Sequence, residues 1–265
     1  MLLRTLLRHH SLLLTLTVRE LKARYRGSVL GFFWSLVNPV MMLVVYTFVF
    51  SYIFTPRDPD VAPYALFLVT GLFPWIWFQT SLTEGAASLM ANAALIRKAA
   101  FPAELLPIVP VLANLVHLAL ALPVIAVAFV VFRSQGHDVS GWTALLLPLI
   151  ILVQVPLTAG LSLGLAALNA HFKDVKDLLA NLLTLLFFLT PILYSLRMVS
   201  DYPAVRWVVE ANPLSPYVLA LQEAVFYGQM PEPWRWATMA LVSLIGWLLG
   251  AALFDRLRDT LVEAV

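Results

Sequence analysis

Polar residues recur at every third or fourth place near the start of the chain, then almost vanish. Arg4, Arg8, Ser11, Thr15, Arg19, Lys22 and Arg26 form one stripe, and Leu3, Leu7, His10, Leu14, Val18, Leu21 and Tyr25 form its neighbour. This is the period of an α-helix with a basic face and an oily face, suited to the headgroup layer of a membrane. Residues 1–28 are therefore read as an amphipathic interface helix. Beyond Gly27 come apolar runs near the roughly 20 residues that a helix needs to cross hydrocarbon. Six spans are predicted, at 29–54, 64–91, 107–132, 142–170, 178–194 and 236–254. Asn38-Pro39 falls inside the first, where a proline predicts a kink. Between the fifth and sixth spans, 195–235 is semi-polar, and its apolar centre from Leu214 to Tyr227 is too short to cross. Short re-entrant helices are predicted there, in an external segment. The fold class is an all-α integral membrane protein, with one transmembrane domain over 1–265.

The placement of charge orients these spans. Every lysine (Lys22, Lys98, Lys173 and Lys176) lies in segments on the side of the N-terminus, with most arginines. The opposite side holds only Arg57, Arg133, Arg197, Arg206 and Arg235. Because Lys and Arg stay preferentially on the cytoplasmic side, both termini are predicted there. Ser11 to Val18 is too abruptly followed by Arg19-Glu20, without a small-x-small site, to read as a signal peptide. Composition agrees with a membrane protein: of 265 residues 61% are hydrophobic and 12% charged, and the mean hydropathy is +0.87. A formal charge of +2 gives no footing for nucleic acid. Cysteine is absent, which removes disulfides and thiolate chemistry.

Catalytic signals are weak. Gly160-Leu-Ser162-Leu-Gly164 matches G-x-S-x-G, but a hydrolase elbow needs a strand-to-helix turn. A rhomboid-type dyad would need a histidine in the last span, and 236–254 has none. Small-residue helix packing explains the motif better. No G-x-x-x-x-G-K-S/T occurs, so the chain has no P-loop of its own. The five histidines show no metal-ligand spacing with carboxylates. No catalytic, cofactor-binding or metal site is assigned, and the chain reads as a conduit, not an enzyme. Asn114 and His117 share a helix face, which favours interhelical hydrogen bonds over a proton relay. Glu84 sits near a cytoplasmic helix end, and a solvated carboxylate is expected. Aromatic residues crowd the outer ends of several spans, among them Tyr52, Phe73, Trp75, Trp77, Phe78 and Tyr194. They fit either an interfacial belt or a ring of flat faces over which sugar could slide.

RYRGSVLGFFWSLVNPV over 24–40 resembles the opening of ABC-2 type permeases that export polysaccharides. PYALFLVTGLFPWIWFQTSL over 63–82, NAALIRKAAFPAELLP over 92–107, HFKDVKDLL over 171–179 and NPLSPYVLALQEAVFYG over 212–228 fit later parts of that pattern, in order. The resemblance is closest to O-antigen exporters. It implies a homodimer in a bacterial inner membrane, bound to two copies of a separate P-loop ATPase that carries ATP and Mg. It implies a lipid-linked polysaccharide as substrate, entering from the cytoplasmic side. It further implies ATPase coupling through Arg19, Arg24 and Arg26, through Arg97, Lys98 and Phe101, and through His171, Phe172, Lys173, Asp174, Lys176 and Asp177. Phe73, Trp75, Trp77, Phe78, Tyr52 and Tyr194 would line the glycan channel and its exit. Asn212, Pro213, Tyr217, Glu223 and Tyr227 would form the gate. Teichoic acid, capsule or a non-glycan lipid or drug are alternative cargoes. A membrane-embedded enzyme would be expected to cluster Asp, Glu and His at one membrane face, and no such cluster is read here.

Overall fold

The computed structural model describes residues 2–53, 61–97, 101–137 and 141–261. The N-terminal helix is broken at His9 into α1 (Leu2–Arg8) and α2 (His10–Arg24). It carries two apolar arcs where one was expected. Leu6, Leu13 and buried Leu16 turn inward onto Leu105 and Val109. Leu7, Leu14 and Val18 stay exposed, beside Arg8, Arg19 and Lys22, which are also exposed. The stripe legible in the sequence is the one left open. Helix α2 ends at Tyr25, and Gly27 follows with φ +81, a left-handed conformation that glycine adopts without strain.

Among the described residues, four helices are long and apolar enough to cross a membrane. They are built on α4 (Tyr64–Ala91), α6 (Ile108–Ser134), α7 (Leu147–His171) and α11 (Pro233–Leu257), with 3-10 turns extending the last three. The expected first and fifth spans are shorter. Helix α3 (Trp34–Phe48) and helix α8 (Val175–Leu189) have 15 residues each. At about 1.5 Å per residue, that covers only about 22 Å of a hydrocarbon core about 30 Å thick. Helix α3 runs through Pro39, and 3-10 and π-helical turns prolong it from Gly31 to Ile53. Helix α8 stops early because Pro191 forces Thr190 into an extended conformation, with ψ 136. The short α5 (Ala93–Ile96) follows α4.

Helix α4 is the axis of the molecule. It packs against α3, α6, α7 and α8. Of its most apolar stretch 83% is buried, against 28% for α6 and for α11. The outward faces of those two helices carry Val127, Val130, Leu241, Leu244 and Leu248, all exposed as a lipid-facing surface would be. Helices α7 and α11 meet through glycine. A Cβ on Gly250 would fall on the carbonyl of Gly160, and one on Gly164 would lie 3.2 Å from the Cα of Gly250. Ser162, between the two α7 glycines, is buried and donates to the Pro107 carbonyl at 2.7 Å. The G-x-S-x-G run is thus a packing seam, and its serine has a structural partner.

The connection between α8 and α11 folds inward. After α9 (Pro203–Ala211) come α10 (Ser215–Leu221) and a π-helical turn, Gln222–Phe226. Every residue of α10 is buried. Tyr217 donates to the Met239 carbonyl at 2.7 Å, Gln222 donates to the Pro191 carbonyl at 2.6 Å, and Thr143 donates to the Ala224 carbonyl at 2.7 Å. These bonds tie the short segment to three neighbouring elements, as irregular backbone within a membrane protein requires.

Candidate functional site

A cavity of about 520 Å³ opens where α2, α3, α4 and α6 converge. Its polar end is a network that joins all four helices. Arg24 leaves α2 on the inward arc, with Leu13 and Thr17, and not on the basic stripe. It donates through Nη2 to Glu84 Oε2 on α4, and through Nη1 to Asn114 Oδ1 on α6 at 2.7 Å. Asn114 Nδ2 donates to the same carboxylate oxygen at 2.8 Å, and Glu20 lies 3.6 Å from Arg24 Nε. One helical turn along α6, His117 Nδ1 lies 3.0 Å from Ser35 Oγ and 3.3 Å from Tyr25 Oη. Tyr25 and Ser35 are themselves 2.7 Å apart. The apolar wall beyond includes Phe73, Trp77 and Met42. Chemically this is a mechanical junction: it fixes the end of the interface helix to two spanning helices and the start of a third. Among the described residues, no three His, Asp or Glu side chains are grouped to hold a metal ion.

This geometry changes several expectations. Glu84 is not simply solvated, because Arg24 and Asn114 engage its carboxylate. Arg24 is half-buried in this network, whereas Arg19 and Arg26 are exposed. Asn114 and His117 do make interhelical hydrogen bonds. Ser35 and Tyr25 complete the junction and were missed. A tyrosine and a serine beside the start of an apolar run carry no distinctive sequence signal.

The aromatic group lies deeper than either surface reading allows. Phe73, Trp75, Trp77 and Phe78 are all buried within the chain, because α4 is enclosed on every side. Trp77 Nε1 donates to the Val111 carbonyl at 3.2 Å. Trp75 Nε1 donates to Gln79 at 2.8 Å, and its ring packs 5.7 Å from that of Phe187. Only Phe73 and Trp77 reach the cavity wall. Tyr194 is half-buried and donates to the Phe188 carbonyl at 3.3 Å. The side chain of Tyr52 lies outside the described residues.

The coupling residues divide. Phe172, 61% exposed, stands beside exposed Lys173, Asp174, Lys176 and Asp177 on the turn between α7 and α8. His171 anchors the turn, with Nδ1 2.8 Å from the Ala167 carbonyl and Nε2 2.8 Å from Thr260 Oγ1. Arg97 is exposed, whereas Phe101 is half-buried and packs under the N-terminal helices. Phe101 thus supports the interface helix from below and offers no open ring for docking. Lys98 lies outside the described residues.

Of the residues expected to form a gate, Asn212 and Tyr217 are buried, Glu223 and Tyr227 are half-buried, and Pro213 is exposed. Asn212 is buried, donates to Thr190 Oγ1 at 2.9 Å and accepts from the Leu214 amide at 3.0 Å. Tyr217 is 1% exposed and locked to α11. Glu223 meets Arg235 at 2.7 Å. Burial pushes the Glu223 carboxyl above the usual carboxylate range, and the neighbouring guanidinium partly offsets that shift. Tyr227 is half-buried near the same pair.

The family model described as "ABC-2 type transporter" matches residues 11–226. The chain belongs to the ABC-2 type transporter family. It is also similar over its whole length to curated transport proteins. The O-antigen export system permease protein RfbA of Myxococcus xanthus is 34% identical over 264 residues, covering 100% of this chain and 99% of that one. Its namesake from Klebsiella pneumoniae is 32% identical over 255 residues, covering 95% and 94%. The polysialic acid transport protein KpsM of Escherichia coli is 24% identical over 251 residues, covering 94% of each.

Proposed function

We propose that this chain is the permease subunit of an ATP-driven exporter that moves a lipid-linked, O-antigen-like polysaccharide outward across the bacterial inner membrane. The observation that carries this reading is similarity, end to end, to O-antigen export permeases. An amphiphile with a large polar head cannot enter hydrocarbon unaided, because its hydroxyls would lose their water partners. A passage between two copies of the chain removes that cost. The energy comes from two copies of a separate P-loop ATPase on the cytoplasmic side, since this sequence has no nucleotide-binding loop. Helices α3 and α8, with their flanking turns, complete six crossings, and the lysine bias puts both termini inside. The α7–α8 turn and Arg19 and Arg26 of the interface helix face the ATPase. The segment from Asn212 to Tyr227 closes the outer end. Export of a polysialic-acid-like polysaccharide is the second reading, favoured by the similarity to the polysialic acid transport protein KpsM, which is weaker at 24% identity.

The test combines gene deletion with charge reversal on the α7–α8 turn. Deletion is expected to remove surface glycan and leave glycolipid inside the cell. Lys173→Glu with Asp174→Lys should lower surface glycan about ten-fold or more, a coupling loss of about 1.4 kcal/mol. Protein level and membrane insertion should stay normal, because both side chains are exposed. Full export by the double variant would sink the docking assignment, and an unaltered surface after deletion would sink the exporter.

A further inference from the structure

A second cavity lies at the opposite end of the molecule from the Arg24 junction, under the turn that precedes α11. Its volume is about 180 Å³, and its wall includes Arg197, Gln222, Glu223, Tyr227, Gln229 and Arg235. This is below the roughly 300–1,000 Å³ of drug-sized pockets, and it suits a single small ring. Arg235 is 7% exposed although it is charged. Its Nη2 donates to Glu223 Oε1 at 2.7 Å. The other halves of both groups are left over: Glu223 Oε2 and Arg235 Nε are buried and have no hydrogen-bond partner among the described residues. A buried charged group with an unmet donor or acceptor costs about 1–3 kcal/mol or more, so such a pair marks a missing ligand.

The two orphan atoms ask for opposite things. The carboxylate oxygen needs a donor, and the guanidinium nitrogen needs an acceptor. A hydroxyl supplies both, and neighbouring hydroxyls on one ring can serve the two atoms at once. The ion pair already balances the Glu223 charge, so the ligand needs none. The amide of Gln222 is held in place by the Pro191 carbonyl, and the half-buried Tyr227 ring gives a flat face against which sugar C–H groups can lie. Exposed Arg197 and Gln229 form the rim.

We infer that this pocket binds one neutral hexose unit through adjacent hydroxyls bridging Glu223 and Arg235. The inference rests on the exporter reading, which puts this end of the chain on the outer side and brings sugar to it. The pocket then holds the emerging glycan one residue at a time, beside the segment that closes the exit.

The probes are methyl glycosides of a neutral hexose, an N-acetylhexosamine and a hexuronic acid, titrated onto purified full-length protein and followed by saturation-transfer NMR. Transfer to the ring protons of the neutral hexoside is expected. Arg235→Lys keeps a positive partner for Glu223 but removes the Nε donor, and should weaken binding about ten-fold. Gln229→Trp, at an exposed rim position, should plug the mouth and abolish the signal without disturbing the interior. It decides the matter if Arg235→Lys does not fold. No transfer in the unaltered protein, transfer to the acidic sugar alone, or unchanged binding in the folded variants would overturn the site and leave a pocket for water only. These results are separable from the exporter reading. A deletion strain that keeps its surface glycan sinks the exporter whatever binds here. One that loses its glycan while no hexoside binds sinks only the site.

Discussion

Gly250→Leu is expected to leave no folded protein. Helices α7 and α11 approach until backbone touches backbone, and a Cβ on Gly250 would fall on the Gly160 carbonyl. Backbone on both sides cannot swing aside as a flexible side chain would. Even Gly250→Ala should separate the helices and cost about 1–3 kcal/mol, as overpacking does in a close-packed interior. Leucine brings three further carbons into the same space and exceeds that range. The cost of separation is high because little drives membrane helices together except close packing and hydrogen bonds. The buried bonds from Tyr217 to Met239 and Ser243 depend on the same placement of α11. Size-exclusion profiles and thermal unfolding in detergent provide the readout. Leu249→Val is the control, since Leu249 is 66% exposed on the opposite face and should be nearly neutral. A folded, export-competent Gly250→Leu protein would mean that this seam is not required.

Glu84→Ala should damage the protein more than Arg24→Ala, although the two side chains form one ion pair. The Glu84 side chain is 41% exposed and that of Arg24 22%. Without Arg24, the carboxylate turns to water and keeps Asn114, so the loss is about 1 kcal/mol, as for exposed pairs. Without Glu84, Arg24 keeps only the more distant Glu20 as a counter-charge, and the Asn114 amide, on a residue 5% exposed, loses its acceptor. Such a loss costs about 3 kcal/mol. Both variants should insert normally. Glu84→Ala should loosen α2 from α4 and α6, seen as faster hydrogen exchange in α2, and should lower export about ten-fold or more. Swapping the pair, Arg24→Glu with Glu84→Arg, should recover part of the loss. Equal damage from the two single variants, or unchanged exchange in α2, would show that the junction does not transmit force from the interface helix.

Periodicity carried much of the fold. The runs at 107–132 and 142–170 sit within the helical segments Ala103–Ser134 and Trp142–His171, because lipid-facing helices have only one way to satisfy their backbone. The fifth run was drawn too late, at 178–194. Helix α8 begins at Val175 with charged residues still in its first turn, and Pro191 ends it. The N-terminal stripe was legible, but only as an outward face. The inward face of Leu6, Leu13 and Leu16 lies nearly opposite and is equally apolar, so periodicity alone could not divide protein from lipid. The polar junction was half legible. Glu84, Asn114 and His117 each stood out against apolar surroundings. Their common partner region, Arg24 and Tyr25, lies 60 or more positions away in sequence, and no local pattern links them. The aromatics misled because an enclosed helix and an interfacial belt are both rich in Trp and Phe. What separates them is burial, which needs the neighbours of α4 to be known.

The enclosure of α4 also bears on how the chain is made. This helix is the least hydropathic of the four long ones, yet the most buried. Of its polar residues, Gln79, Thr80 and Thr83 bond within α4, but Glu84 shares its carboxylate with Asn114 of a later helix. During synthesis α4 emerges before α6, α7 and α8 exist. A nascent chain ending just after Ala91 has Arg24 for Glu84, but neither Asn114 nor the later neighbours that help to bury Phe73, Trp75 and Trp77. Such a chain should rest shallowly in the bilayer, or wait beside the insertion machinery, and settle to its final depth only as α6 and α7 close around it. The centre of the finished molecule is thereby the last part of it to become stable.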